Sequence, residues 1–171
     1  PAGALGNVSE VIISYNGKTV TQKIQLVNFD LKGDGTEENP YLLSSTADLQ
    51  TLRDSVAAGQ STEGKHFKMT ADITLPDNWQ PIGCTKDGSN NIKRGENLYA
   101  FSGSIDGGLH TVTVPKGGLP LLGYIKNAEV KNLNIYGEQI EGYGLVNNCE
   151  GVGLSGTSIV IDNVTLKSGS K

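Results

Sequence analysis

The sequence predicts an all-β protein whose short strands coil into a β-helix, a solenoid with one α-helix near its start. Three observations carry that reading: a glycine-rich composition, a weak internal repeat of alternating apolar pairs, and a single stretch with helical periodicity. The 171 residues include 23 glycines and only 6% aromatic residues. That glycine share is well above the average of about 7%, and no Gly-X-Y period accompanies it. Glycine scattered in this way serves corners between short strands, where the chain bends and φ turns positive.

The repeat starts at Phe101. The pair Val112/Val114 recurs 21 residues on as Leu133/Ile135, and that pair recurs 31 residues further on as Val164/Leu166. Ile105 is matched in the same way by Ile125, 20 residues later. The local words agree too, Asn132-Leu133-Asn134-Ile135 against Asn163-Val164-Thr165-Leu166. The longer second interval fits an insertion around Gly151–Thr157. A strand that alternates apolar and polar residues has one face to bury. A single turn of such strands cannot bury its own face, so turns must stack. An antiparallel sandwich also carries many short strands at regular spacing; the in-phase repeat favours the solenoid.

Residues 46–58 predict the helix. Ser45 and Asp48 have capping-box spacing, Leu49, Leu52 and Val56 form one apolar stripe, and Gly59 is a natural terminator. Strands are expected at His66–Thr70 and Ile73–Leu75, then a proline-bracketed stretch, Pro76–Pro81, holding Trp79, and a polar excursion over 84–97. Residues 8–27 predict a hairpin turning at Asn16-Gly17, with Val20, Ile24 and Leu26 on one face. The expected organisation is therefore a hairpin in residues 1–28, either the tail of a preceding module or cap strands, and a capped β-helix domain in 29–171.

Net charge is −4 and no run of Lys or Arg occurs, which argues against a nucleic-acid partner. No apolar stretch approaches the roughly 18 residues a spanning helix needs, so no membrane insertion is expected. Cys84 and Cys149 form no CxxC pair. They are a candidate disulfide joining distant segments, or two buried thiols.

The search for chemistry finds isolated groups. Asp72, Asp77 and Asp106 stand apart in sequence, and Asp106 before Gly107-Gly108 reads as a turn residue. His66 and His110 lack metal-ligand spacing, and neither a Gly-x-Ser-x-Gly elbow nor a P-loop is present. The acidic loop Lys32–Pro40 lacks the ligand order of an EF-hand. No catalytic residue, metal or cofactor is expected. Trp79 and Tyr99 flank the polar excursion and are the candidate ligand-binding residues, because exposed rings stack on sugars. The competing expectation is that Trp79 plugs the core.

Several words of the sequence resemble a known family. They are Gly33-Asp34-Gly35-Thr36 with Asn39-Pro40-Tyr41-Leu42-Leu43, then Asp48-Leu49, then Phe67-Lys68-Met69-Thr70-Ala71-Asp72-Ile73. Trp79-x-Pro81-Ile82-Gly83 and Phe101-x-Gly103-x-Ile105-Asp106-Gly107 continue the likeness, which covers about 30–171. Together they resemble the opening segment of bacterial cell-surface repeat regions with the GLUG motif, found in exported adhesins and IgA-type metalloproteases. The repeats depart from that motif: Leu121-Leu122-Gly123 lacks the leading glycine and Gly144-Leu145-Val146-Asn147 the closing one. The resemblance implies a right-handed parallel β-helix, the helix as its N-terminal cap, and export as part of a longer secreted or cell-wall-associated chain. The expected role is a non-catalytic structural or adhesive module, with a host glycan or protein as partner. The alternative is an accessory or glycan-binding domain of a secreted protease or carbohydrate-active enzyme.

Overall fold

Asn16 and Gly17 turn the chain back on itself with φ of 48° and 72°. Positive φ at both central residues gives the turn whose twist matches a two-residue hairpin. Strands β1 (Val8–Tyr15) and β2 (Lys18–Gln25) pair antiparallel around it, from Tyr15 opposite Lys18 to Val8 opposite Gln25. Val20, expected on the packed face, is 61% exposed. In this computed structural model, which describes residues 8–25, 29–85, 98–137, 145–150 and 160–168, the hairpin belongs to a unit spanning Pro1–Asp30. The second unit is Leu31–Lys171.

The second unit starts with β3 (Tyr41–Leu43) and α1 (Thr46–Ala57). The helix begins where the sequence places it: Ser45 accepts from the Asp48 N–H, and Asp48 accepts from the Ser44 N–H at 2.8 Å. Leu49, Leu52 and Val56 are buried, as their stripe requires. Gly59 ends the helix at φ +87°, a conformation costly for any residue with a Cβ. Then follow β4 (His66–Met69), β5 (Ile73–Thr74), β6 (Cys84–Thr85), β7 (Leu98–Tyr99), β8 (Ser104–Asp106) and β9 (Thr111–Val114). The last four are β10 (Leu122–Lys126), β11 (Glu129–Gly137), β12 (Val146–Glu150) and β13 (Val160–Ser168).

Seven of these strands form one sheet in which every pairing is parallel. The chain passes through it five times: at β3, at β4 with β5, at β8 with β9, at β11, and at β13. Between the later passes it runs through a second parallel pair, β10 with β12, which Ile82 and Phe101 extend by bridging to Leu122 and Ile125. Parallel neighbours need such a return connection, because a tight hairpin can join only antiparallel strands.

The register of the passes builds the core. Tyr41, Phe67, Ile105, Val130 and Ile161 fall in one column, and Ile73, Val112, Ile135 and Leu166 in another. All but the β13 members are buried. Tyr41 meets Phe67 with ring centroids 5.4 Å apart, and Phe67 meets Phe101 at 5.7 Å. Burying each such side chain is worth about 1.5–3 kcal/mol, so these columns carry the sheet.

Two expectations about the repeat need correction. The parallel pairing does not begin near Phe101; it begins at Tyr41, whose three-residue strand is too short to display alternation. The phase of the first interval also differs. Val112 lies opposite Ile135, not Leu133, and Ile105 lies opposite Val130, not Ile125. The cause is the corner after β8. Four residues, Gly107–His110, link Asp106 to Thr111, whereas Asn132-Leu133 alone link their partners Lys131 and Asn134. The second interval is in phase, with Leu133 opposite Val164 and Ile135 opposite Leu166.

Candidate binding surface on the outer face of the parallel sheet

Because side chains alternate along a strand, the residues between the buried ones form the outer face. Register places Lys68, Asp106, Lys131 and Asp162 side by side on successive passes, a row of alternating sign. A second row holds His66, Ser104, Glu129 and Val160. Lys131 also reaches along its own strand to Glu129, Nζ to Oε1 at 3.6 Å.

Asp106 is the best-held group in these rows. Burial pushes its carboxyl up, but the Gly108 N–H at 2.9 Å, the Asn132 amide at 3.1 Å and the charges of Lys131 and Lys68 outweigh it. The net effect holds Asp106 below its ordinary 3.8. Beside it, Asn132 and Asn163 take left-handed backbone, φ 53° and 49°, a region asparagine tolerates better than other side-chain-bearing residues. Asn163 Nδ2 donates to Asn132 Oδ1 at 2.9 Å, and Asn132 Nδ2 donates to Asp106 Oδ1. The amides thus chain in one direction and end on a carboxylate.

Two adjoining cavities lie on this face. One, of about 440 Å³, is lined by Glu37, Glu38, His66, Lys68, Asp106 and Lys131 among others. The other, of about 260 Å³, is lined by residues that include Lys65, Ser102, Asn127 and Glu129. His66 and Ser104 line both. The sequence alone does not reveal this mixed-charge groove, since its residues come from five separate segments. The signal lay in the outward positions of the strands, readable only once register is known.

Asp72 and Asp34 accept from backbone N–H groups, as Asp106 does. Asp72 accepts from the Thr111 N–H at 2.9 Å and faces His110 Nδ1 at 3.2 Å, and these bonds hold it below 3.8. Asp34 accepts from the Thr36 N–H and hydroxyl and from the Asn39 amide, which lower it likewise. Asp77 is exposed. Among the described residues, no group of three or more His, Cys, Asp or Glu is placed to hold a metal ion.

Trp79 and Tyr99 do not form a common platform. Trp79 is 2% exposed, with its indole N–H donating to the Pro120 carbonyl at 3.2 Å and the Arg53 guanidinium 5.4 Å from its ring centre. An indole so enclosed has no open face for a sugar. Tyr99 is half-buried on β7, with its ring against Gly59 at the end of the helix. Cys84 and Cys149 lie on β6 and β12, and their side chains, with residues 86–97 of the polar excursion, fall outside the described residues.

No family model and no solved structure matches the chain. It is 30% identical over 154 residues to a protein of Evansella cellulosilytica named "Putative Gly-rich membrane protein", covering 80% of this chain. It is also 30% identical over 118 residues, 64% of this chain, to halomucin of Haloquadratum walsbyi. The chain spans 15% and 1% of the length of these two relatives. Among the described residues, no helix is long and apolar enough to cross a membrane.

Proposed function

We propose that this chain is a non-catalytic structural module of an exported surface protein, coiled as a right-handed parallel β-helix of the GLUG-like kind. The observation that carries the reading is the row-by-row register of five parallel passes, which places like beside like in the core and opposite charges beside each other outside. Right-handed return is the rule for parallel strands joined by a crossover. A stack of this kind is stiff and can be lengthened pass by pass, which suits a spacer within a long chain, and the much longer relatives support that setting. The ordered acids support a non-catalytic role, because Asp34, Asp72 and Asp106 are engaged by turn and corner N–H groups.

Single-molecule stretching of the chain tests the spacer role. Peeling off the pass between Val130 and Ile161 should lengthen the molecule by about 100 Å, at 3.3–3.6 Å per residue. Discrete steps of roughly 80–140 Å, one for each pass, are expected at that rise per residue; a single all-or-none extension of the whole chain would contradict the stacked module.

The paired cavities favour a second reading, that the outer face of the module binds an extended polar ligand such as a glycan. Glycan-array binding that is weakened by Lys68→Ala and Lys131→Ala supports it, and unchanged or absent binding rejects it.

A further inference from the structure

The pass at β13 presents core residues to solvent. Ile161 and Leu166 belong by register to the buried columns of Val130 and Ile135, yet they are 52% and 57% exposed. Val130 and Ile135 above them are 0% exposed. Val164, opposite buried Leu133, is only partly covered. Among the described strands, β13 pairs with β11 alone, so none of them covers its other edge. An apolar face beside an open row of backbone N–H and C=O groups is a template for another strand.

We propose that this edge docks one more parallel strand of defined pattern: apolar, basic, asparagine, apolar, polar, apolar. The occupant is a strand with the residue pattern of another pass, of the kind that the much longer relatives have the length to supply, so the proposal rests on the stacked-module reading above. Each position is read from its row. The apolar positions continue Ile105–Val130–Ile161, Leu133–Val164 and Val112–Ile135–Leu166. The basic position continues the alternation Lys68, Asp106, Lys131, Asp162, since a cation beside Asp162 is the next charge in that order. The asparagine continues the amide chain, in which each Nδ2 donates to the pass before it; an amide below Asn163 would donate to Asn163 Oδ1 in the same sense. The polar position follows Asn134 and Thr165, which lie opposite each other.

Binding of a short synthetic peptide centred on Ile-Lys-Asn-Val-Thr-Leu to the full chain tests this, followed by amide chemical shifts. Expected are saturable shifts concentrated in β13, and a loss of affinity of about five-fold in Asp162→Lys, the size of an exposed ion pair. A peptide with Asp in place of Lys should recover that loss. Lack of binding while β11–β13 amide protection persists would overturn the docking edge and leave the stack standing. Equal binding of a scrambled peptide would overturn it too, as would a concentration-dependent dimer that covers Ile161 with a second copy. Absence of β11–β13 protection in the free chain would overturn the stacked module and the docking edge together.

Discussion

Asn163 donates its side-chain amide to Asn132 across neighbouring passes, and both residues hold a left-handed backbone. The two facts reinforce each other. The left-handed corner turns the strand after Lys131 and after Asp162, and in doing so it places the two amides in line with Asp106. Asparagine serves here as both a bend and a bond between passes.

Substitution at Asn132 separates those two roles. Asn132→Gly keeps the backbone conformation and loses two side-chain hydrogen bonds, at about 0.5–1.5 kcal/mol each. Asn132→Ala loses the same bonds and adds the left-handed cost of about 1–2 kcal/mol. Chemical denaturation should therefore rank wild type above Asn132→Gly above Asn132→Ala. Equal stability of the two variants would show that the corner conformation is not strained.

Much of this was legible in the sequence, and the exceptions have physical causes. The helix, the hairpin turn at Asn16-Gly17 and the in-phase words around Asn132 and Asn163 each depend on short-range pattern. The phase between β9 and β11 was not legible, because the corner after Asp106 holds two residues more than the corner after Lys131. The groove around His66 and Lys68 was not legible either, because it assembles outward residues from strands far apart in sequence. Trp79 was legible as a residue type but ambiguous in role, since an indole serves a core and a sugar platform equally well.

Trp79 now yields a specific expectation. Trp79→Phe removes the bond to the Pro120 carbonyl and leaves that acceptor without its buried partner, a loss of about 1–3 kcal/mol. Trp79→Ala adds a cavity and should cost about 3–5 kcal/mol. Thermal melts check both; a Trp79→Ala variant as stable as wild type would remove Trp79 from the core.

Close backbone approach predicts a different failure. A Cβ on Gly123 would collide with the Gly83 carbonyl oxygen, and one on Gly83 with the Tyr124 carbonyl oxygen. The Gly83 oxygen accepts from the Tyr124 N–H and the Tyr124 oxygen accepts from the Phe101 N–H, so neither can move aside without breaking the ladder. Gly123→Ala should cost more than about 2 kcal/mol, read as a loss of soluble folded protein or a shifted urea midpoint. Gly117→Ala has open space around its Cβ and meets only its own positive φ of 69°, so it should cost less.

Acid should destabilise the protein in a defined window. Asp34, Asp48, Asp72 and Asp106 are all lowered from 3.8 in the folded chain. A lowered carboxylate contributes stability that is fully present above the unfolded value and is lost as pH falls through the folded one. The urea midpoint should thus fall as pH drops below about 4, and Asp48→Asn with Asp106→Asn should flatten that dependence. A midpoint that rises on acidification would contradict the assigned bonding.

The stacked register itself is tested most directly by removing one whole pass. Deleting residues 130–160 joins Glu129 to Ile161, which drops Ile161 into the place of Val130 and Asn163 into that of Asn132; Asp162→Lys keeps the charges alternating. Deleting 130–159 instead shifts the strand by one residue and turns Ile161, Val164 and Leu166 outward. Circular dichroism with urea unfolding should show cooperative folding for the first deletion and none for the second. Unfolding of both, or equal folding of both, would contradict a stack of interchangeable passes.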